Sequence, residues 1–209
     1  MNIDHWREFA VRFGEARDRN LSSGNCVDIW GIDELGRREL RYSAILAWLF
    51  DETADHGQGN RFLRSFLKHI ASSHPKDTEK LREFTDYSYS VRTESVATEH
   101  EHLDIFFESE KILLAIEVKV DAKEHNKQLT RYAEWLKYSA KKKKKDWYLL
   151  YLTKDGIEGS SSDAIPVSWL DLSKSVQEAL QVTRGEHPAF GTSLSFELIS
   201  QFAERVRNF

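Results

Sequence analysis

From Ile112 to Val120 apolar residues alternate so that Ile112, Leu114, Ile116, Val118 and Val120 share one side of an extended strand, because side chains in a strand repeat with a period of two. Leu113, Ala115, Glu117 and Lys119 occupy the other side. The segment is apolar on both faces until the charged pair, which is the pattern of a central strand. Leu103–Glu108 also has strand character, and the polar Ser109, Glu110 and Lys111 join the two runs into an antiparallel hairpin. Tyr87–Ala97, alternating Tyr, Tyr, Val and Thr with Ser, Ser, Arg and Glu, predicts a strand before the hairpin. Trp147–Thr153 reads as a further buried strand, with a loop over Lys154–Asp163 and a short strand at Ile165–Trp169. Helical spacing predicts helices over Asp4–Arg17, Glu39–Phe50, Arg61–Ile70, Glu124–Ser139, Asp171–Leu180 and Leu194–Val206. Gly24–Gly36 and Asp51–Gly59 read as connections. This order predicts an α/β fold, a mixed sheet with helices outside it.

Charges at the end of a buried strand are costly unless they are paired or bind a metal. Asp104, near the start of one hairpin strand, falls opposite the far end of the other, so Asp104, Glu117 and Lys119 converge at one sheet edge. Oxygen ligands of this kind suit Mg²⁺, which takes one or two protein carboxylates and keeps waters and room for a phosphate oxygen. Lys119 could then orient or help deprotonate an attacking water.

Other positions carry two readings each. Glu39 opens its helix, where a carboxylate favours the exposed amides, and it shares a face with Ser43 at a spacing of four. Gln128 and Tyr132 are likewise four apart, either reaching the site or belonging to a plain amphipathic helix. Glu94 fits a cross-strand ion pair. His100 and His102 alternate in phase with Asp104, yet the eight histidines show no HExxH spacing and the single cysteine, Cys26, cannot supply a thiolate zinc site. Neither a Gly-x-Ser-x-Gly turn nor a Gly-x-x-x-x-Gly-Lys loop occurs, which excludes the common serine hydrolase and nucleotide-phosphate motifs.

A length of 209 residues, 40% of them hydrophobic, suits one domain over 1–209. One cysteine fits a reducing compartment. The amino terminus lacks the pattern of a signal peptide, and no apolar run nears the roughly 20 residues that span a bilayer. A soluble, cytoplasmic protein with no membrane contact is expected. The net charge of −4 sits awkwardly with a polyanionic substrate, since affinity for one comes mostly from Lys and Arg. Lys123, Lys127, Arg131 and Lys137 near the helix after the Glu-x-Lys strand can offset it locally. The run Lys141–Lys145 reads as a solvated helix end, where cations are favoured.

At Asp104, Glu117 and Lys119 the chain resembles the PD-(D/E)XK nuclease superfamily, with Leu103 where the name-giving proline would stand and Val118 as the variable residue. Around this motif the resemblance extends upstream through Glu39–Leu49, His56–Gly59 and Phe62–Leu63, and downstream through Gln128–Tyr132 and Tyr151–Gly156, covering about residues 35–172. It looks like a bacterial subfamily linked to defence against phage. The resemblance implies a restriction-endonuclease-like mixed β-sheet flanked by α-helices and metal-dependent hydrolysis of phosphodiester bonds, most readily of DNA, with Mg²⁺ or Mn²⁺. It also implies roles: Asp104 and Glu117 as metal ligands, Glu39 on the first helix as an auxiliary ligand, Lys119 and Gln128 at the attacking water or phosphate, and Ser43, Lys123, Arg131 and Tyr132 toward the substrate. The rival expectation is a nucleic-acid- or partner-binding module that keeps the fold without turnover, which the complete Asp, Glu, Lys set disfavours. RNA as substrate, and a homodimer or protein partner, stay open.

Overall fold

The strand Ile112–Val118 (β3) is buried along its whole length and lies at the centre of a five-stranded sheet. The computed structural model describes residues 39–75, 78–98, 101–121, 124–125 and 127–209, without the side chains of 79, 95–98 and 101. The helix expected over Asp4–Arg17, the connection Gly24–Gly36, Cys26, His100 and Lys123 lie outside the described residues. Everything described belongs to one compact unit, Leu35–Phe209.

Along the chain come α1 (Glu39–Phe50), α2 (Arg61–Ser73), a 3₁₀ helix (Glu79–Asp86), β1 (Tyr89–Thr98), β2 (Glu101–Ser109), β3, α3 (Gln128–Lys143), β4 (Asp146–Thr153), β5 (Ala164–Ser168), α4 (Trp169–Glu186), a short 3₁₀ turn (Phe190–Thr192) and α5 (Leu194–Arg207). The sheet order is β1-β2-β3-β4-β5. β1, β2 and β3 pair antiparallel, and β4 and β5 continue in parallel. This mixed sheet flanked by helices is the architecture expected from the sequence. Among the described residues no helix is long and apolar enough to cross a membrane.

Period-two alternation divides the core into two layers. Leu113 and Ala115 of β3, Phe106 of β2, and Leu149 and Tyr151 of β4 pack against Leu129, Tyr132, Ala133 and Leu136 of α3. The residues between them face the other helices, where Phe107 meets Phe50 of α1 and Phe50 stacks on Phe66 of α2 at 5.3 Å. The turn between α1 and α2 needs positive φ at Gly57 and Gly59 (72° and 58°), which glycine adopts without steric cost.

Several elements differ from the sequence expectation. Leu81 and Phe84 are three apart and both buried, the spacing of a 3₁₀ turn rather than of an α-helix, so the helix Glu79–Asp86 escapes a search for the longer period. α4 starts at Trp169 rather than Asp171, because Ser168 and Asp171 form a capping box. α3 starts at Gln128 rather than Glu124. Its N-cap, Lys127, has φ 58° and no side-chain cap bond, and the Glu124 carboxylate instead accepts from the Leu129 amide at 3.0 Å.

Candidate active site

β2 and β3 bring Asp104 and Glu117 together, since Ile105 pairs with Ile116 and puts the two acids at the next level. Both lie on the sheet face that α3 covers, in phase with Phe106 and Ala115. Asp104 Oδ2 accepts from the Val118 amide at 2.8 Å. Glu117 is 1% exposed, and neither carboxylate oxygen has a well-aligned hydrogen bond. The Lys119 ammonium lies 2.8 Å from Oε1 as an ion pair, and the Asp104 carboxyl adjoins Glu117 too. That ammonium also lies 3.5 Å from Glu39 Oε2, at the first position of α1. Glu39 Oε1 accepts from the Val120 amide at 3.3 Å.

Burial raises the Glu117 carboxyl to about 8, helped by the neighbouring Asp104 charge and opposed by Lys119. Burial raises Asp104 as well, against the Val118 amide and Lys119. For Lys119 the desolvation that disfavours its charge is outweighed by Glu117, Glu39 and Asp104, so its value is raised and the ammonium is held protonated. Two adjoining acids that resist ionisation although they share the Lys119 ammonium describe a place with less positive charge than two carboxylates need. Mg²⁺ needs only one or two protein carboxylates, and Asp104 with Glu117 fits that donor set. Glu39, expected as an auxiliary ligand, has its oxygens on Lys119 and Val120. Accordingly, among the described residues no three His, Cys, Asp or Glu side chains surround one point.

A model of the PD-(D/E)XK nuclease superfamily matches residues 25–208, most of the chain. The chain belongs to that superfamily. Searches of curated proteins and of solved structures return no match. Asp104, Glu117 and Lys119, expected from the sequence to form its motif, lie together at the end of the central strands.

Around this PD-(D/E)XK motif the remaining expected residues divide. Gln128 opens α3, and its Nε2 donates to the Tyr132 hydroxyl at 2.6 Å, which in turn donates to the His102 carbonyl at 2.6 Å. Because the Tyr132 proton is given to His102, Gln128 must turn its amide nitrogen toward Tyr132 and its oxygen away. That oxygen is buried without a partner. Tyr132 is 1% exposed. Ser43 is buried too, and its hydroxyl donates to the Glu39 carbonyl at 2.9 Å. Both side chains lie in the core, and neither lines the cleft beside Lys119. Arg131 stays on the first turn of α3, partly exposed. Glu94 has φ 48°, an exposed side chain, and a carbonyl in contact with His102 Nδ1. Lys143 and Lys145 turn away from the motif and hold Glu108 at 2.8 and 2.7 Å.

Two further contributors went unread in the sequence. Trp169 is fully buried, and its indole N–H donates to the Lys119 carbonyl at 2.9 Å, while the Lys119 amide donates to Leu152 at 2.8 Å. The Ser168-x-x-Asp171 capping box that places Trp169 was the available signal, together with the need of a buried indole for an acceptor. Glu124 accepts from the Ser160 amide at 2.7 Å and from the Ser160 hydroxyl. Burial works against its charge, but these bonds and the Leu129 amide prevail and lower its value. Glu124 thus ties the β4–β5 loop to the start of α3. The result is a cleft of about 520 Å³ that reaches from Lys119 past Tyr151 to Glu158 and Ser160.

Proposed function

We propose that this protein is a metal-dependent nuclease that hydrolyses phosphodiester bonds of nucleic acid, most readily DNA, and that it serves bacterial defence against phage. The observation that carries the activity is Glu117: a buried carboxylate with two oxygens lacking aligned donors, beside Asp104 and two residues before Lys119, which lines the cleft. Asp104 and Glu117 would hold Mg²⁺, with Mn²⁺ able to replace it because both favour oxygen ligands. Such an ion, when bound, polarises a phosphoryl oxygen and makes water a better nucleophile.

The chain's own residues do the rest. Lys119, held protonated between Glu117 and Glu39, orients the attacking water and stabilises negative charge on the phosphate. As an ammonium it has no lone pair with which to take a proton. Glu39 holds Lys119 in place, and Trp169 fixes the backbone that carries it. Gln128 offers its free carboxamide oxygen to a water or other donor at the start of α3, with Tyr132 setting its orientation. Lys123, which precedes α3 in the sequence, and Arg131, on its first turn, are assigned to phosphates flanking the scissile bond.

The test is incubation of the purified chain with plasmid, linear and single-stranded DNA and with RNA, in Mg²⁺, Mn²⁺ or excess chelator. Cleavage of DNA that needs the cation and disappears in Glu117→Gln is expected. Binding without cleavage under every condition would leave a non-catalytic member of the superfamily.

A further inference from the structure

Asp104, Phe106 and Glu108 share one face of β2, and Glu108 lies about 14 Å from Asp104 along the strand at roughly 3.4 Å per residue. At that end a cavity of about 510 Å³ opens between β1, β2 and α3, lined among others by Arg92, Phe106, Glu108, Trp135, Ser139 and Lys143. Among the described residues α3 packs chiefly over β3 and β4, and the cavity lies beside it, over β1 and β2. Trp135, Ser139 and Lys143 follow at a spacing of four and so line one side of α3.

The charges around this cavity do not balance. Glu108 accepts from the Lys143 ammonium at 2.8 Å on each oxygen and from Lys145 at 2.7 Å, and Arg92 stands 3.9 Å away. One carboxylate thus faces three cations. Lys143 and Arg92 keep 45% and 60% of their side chains exposed, so they can take a further anion without leaving Glu108. The wall beside them is aromatic: Phe106 is buried, and Trp135, partly exposed, meets it edge to face at 5.7 Å. A surplus of cations against an indole, in a cavity of ligand size, matches a planar aromatic group that carries a phosphate.

We propose that this cavity seats one nucleotide unit, with its base against Trp135 and its phosphate between Arg92 and Lys143. The unit is either a free nucleotide or one nucleotide of a strand whose neighbouring phosphates reach the Asp104 end. The strand source rests on the nuclease reading; the affinity for an aromatic phosphate does not. Base stacking on an aromatic side chain tolerates any sequence, so the cavity would anchor single-stranded nucleic acid without selecting a base.

The experiment measures binding of the full chain in excess chelator, where no turnover occurs. A fluorescein-labelled single-stranded DNA 12-mer is followed by anisotropy, and AMP is titrated by calorimetry. Trp135→Leu and Arg92→Ala are compared with the unaltered protein after melting curves confirm folding; Arg92 is exposed, so that variant keeps the test open should Trp135→Leu unfold. The expected result is about tenfold weaker 12-mer binding in each variant. With Arg92→Ala the slope of log affinity against log salt should also fall by about 0.7, the value for one phosphate contact on a single strand. AMP binding lost in the same variants assigns the cavity to a free nucleotide, and 12-mer binding weakened without AMP binding assigns it to a strand. Folded variants that bind both ligands like the unaltered protein, or an unaltered protein that binds neither, overturn the proposal. Cleavage assayed separately in Mg²⁺ keeps the two readings apart. An inactive chain that binds through Trp135 leaves the cavity standing, and an active one with unchanged binding removes only the cavity.

Discussion

Asp104 and Glu117 adjoin across β2 and β3, yet only Asp104 takes a backbone amide, from Val118 at 2.8 Å, while Glu117 is left without an aligned donor. The pair is therefore asymmetric. One member is steadied by the main chain, and the other faces the Lys119 ammonium, 2.8 Å away.

This asymmetry predicts a pH dependence. A carboxyl raised from 4.5 to about 8 favours the folded state in its protonated form, so its contribution is fully present below about 4.5 and is lost as pH rises through 8. Metal-free protein should lose stability across that window. Glu117→Gln should melt above the unaltered chain at pH 8, by on the order of 1–4 kcal/mol, and the gap should close toward pH 5. Mg²⁺ should raise the melting temperature of the unaltered chain alone, with an affinity that declines as pH falls below 8. Differential scanning fluorimetry of both proteins from pH 5 to 9 decides it; a gap that does not change with pH would remove Glu117 as its source.

Lys119 and Val118 are neighbours with different dependences. Lys119→Met keeps an apolar stem but leaves Glu117 and Glu39 without their ammonium. Cleavage should fall about 100-fold or more, while the fold persists at pH 5, where Glu117 is mostly neutral, and weakens at pH 8. Val118→Asp puts a carboxylate at a fully buried position on the face opposite the site, and should fail to fold at either pH. Circular dichroism with thermal melting distinguishes them, and a Lys119→Met protein unfolded at pH 5 would make the lysine structural.

Tyr132→Phe tests whether Gln128 is held for the chemistry. The change removes a hydroxyl that bonds both Gln128 and the His102 carbonyl, at a stability cost of about 1–3 kcal/mol for buried groups left unmatched. Turnover should fall with KM little altered, and Gln128→Ala should add little to the effect. Normal turnover in a destabilised Tyr132→Phe protein would confine the tyrosine to packing.

The sheet and the Asp104, Glu117, Lys119 set were legible because each depends on short-range order. A strand apolar on both faces must be central, and a hairpin joined by Ser109-Glu110-Lys111 fixes which residues meet. What was not legible depends on contacts between distant segments. The Trp169 indole reaches the Lys119 carbonyl across 50 residues, and Glu124 meets Ser160 across 36, distances over which no periodicity carries information. The lysine run is a similar case. Its composition suggested a solvated helix end, but only the fold shows Lys143 and Lys145 turned onto Glu108. Gln128 and Tyr132 were read as a pair on one helical face, whereas their unequal roles follow from the His102 carbonyl, which claims the tyrosine proton.

Glu39 remains the sharpest question, since the resemblance made it a metal ligand and the geometry ties it to Lys119. Its Oε2 lies 3.5 Å from the ammonium and its Oε1 accepts from the Val120 amide at 3.3 Å. If holding Lys119 is its work, Glu39→Gln should lower the cleavage rate about tenfold while the Mg²⁺ concentration at half-maximal activity stays close to normal, because the amide keeps the Val120 bond but loses the charge that steadies Lys119. Asp104→Asn, by contrast, removes a ligand charge and should raise that Mg²⁺ midpoint about tenfold or more. A helix-start role alone would cost Glu39→Gln no more than about 1 kcal/mol and leave cleavage normal. Measuring cleavage against Mg²⁺ concentration for the two variants side by side separates the cases. A Glu39→Gln midpoint that moves as far as that of Asp104→Asn would return Glu39 to the ligand set, and would mean that Lys119 gives up this carboxylate when the cation binds.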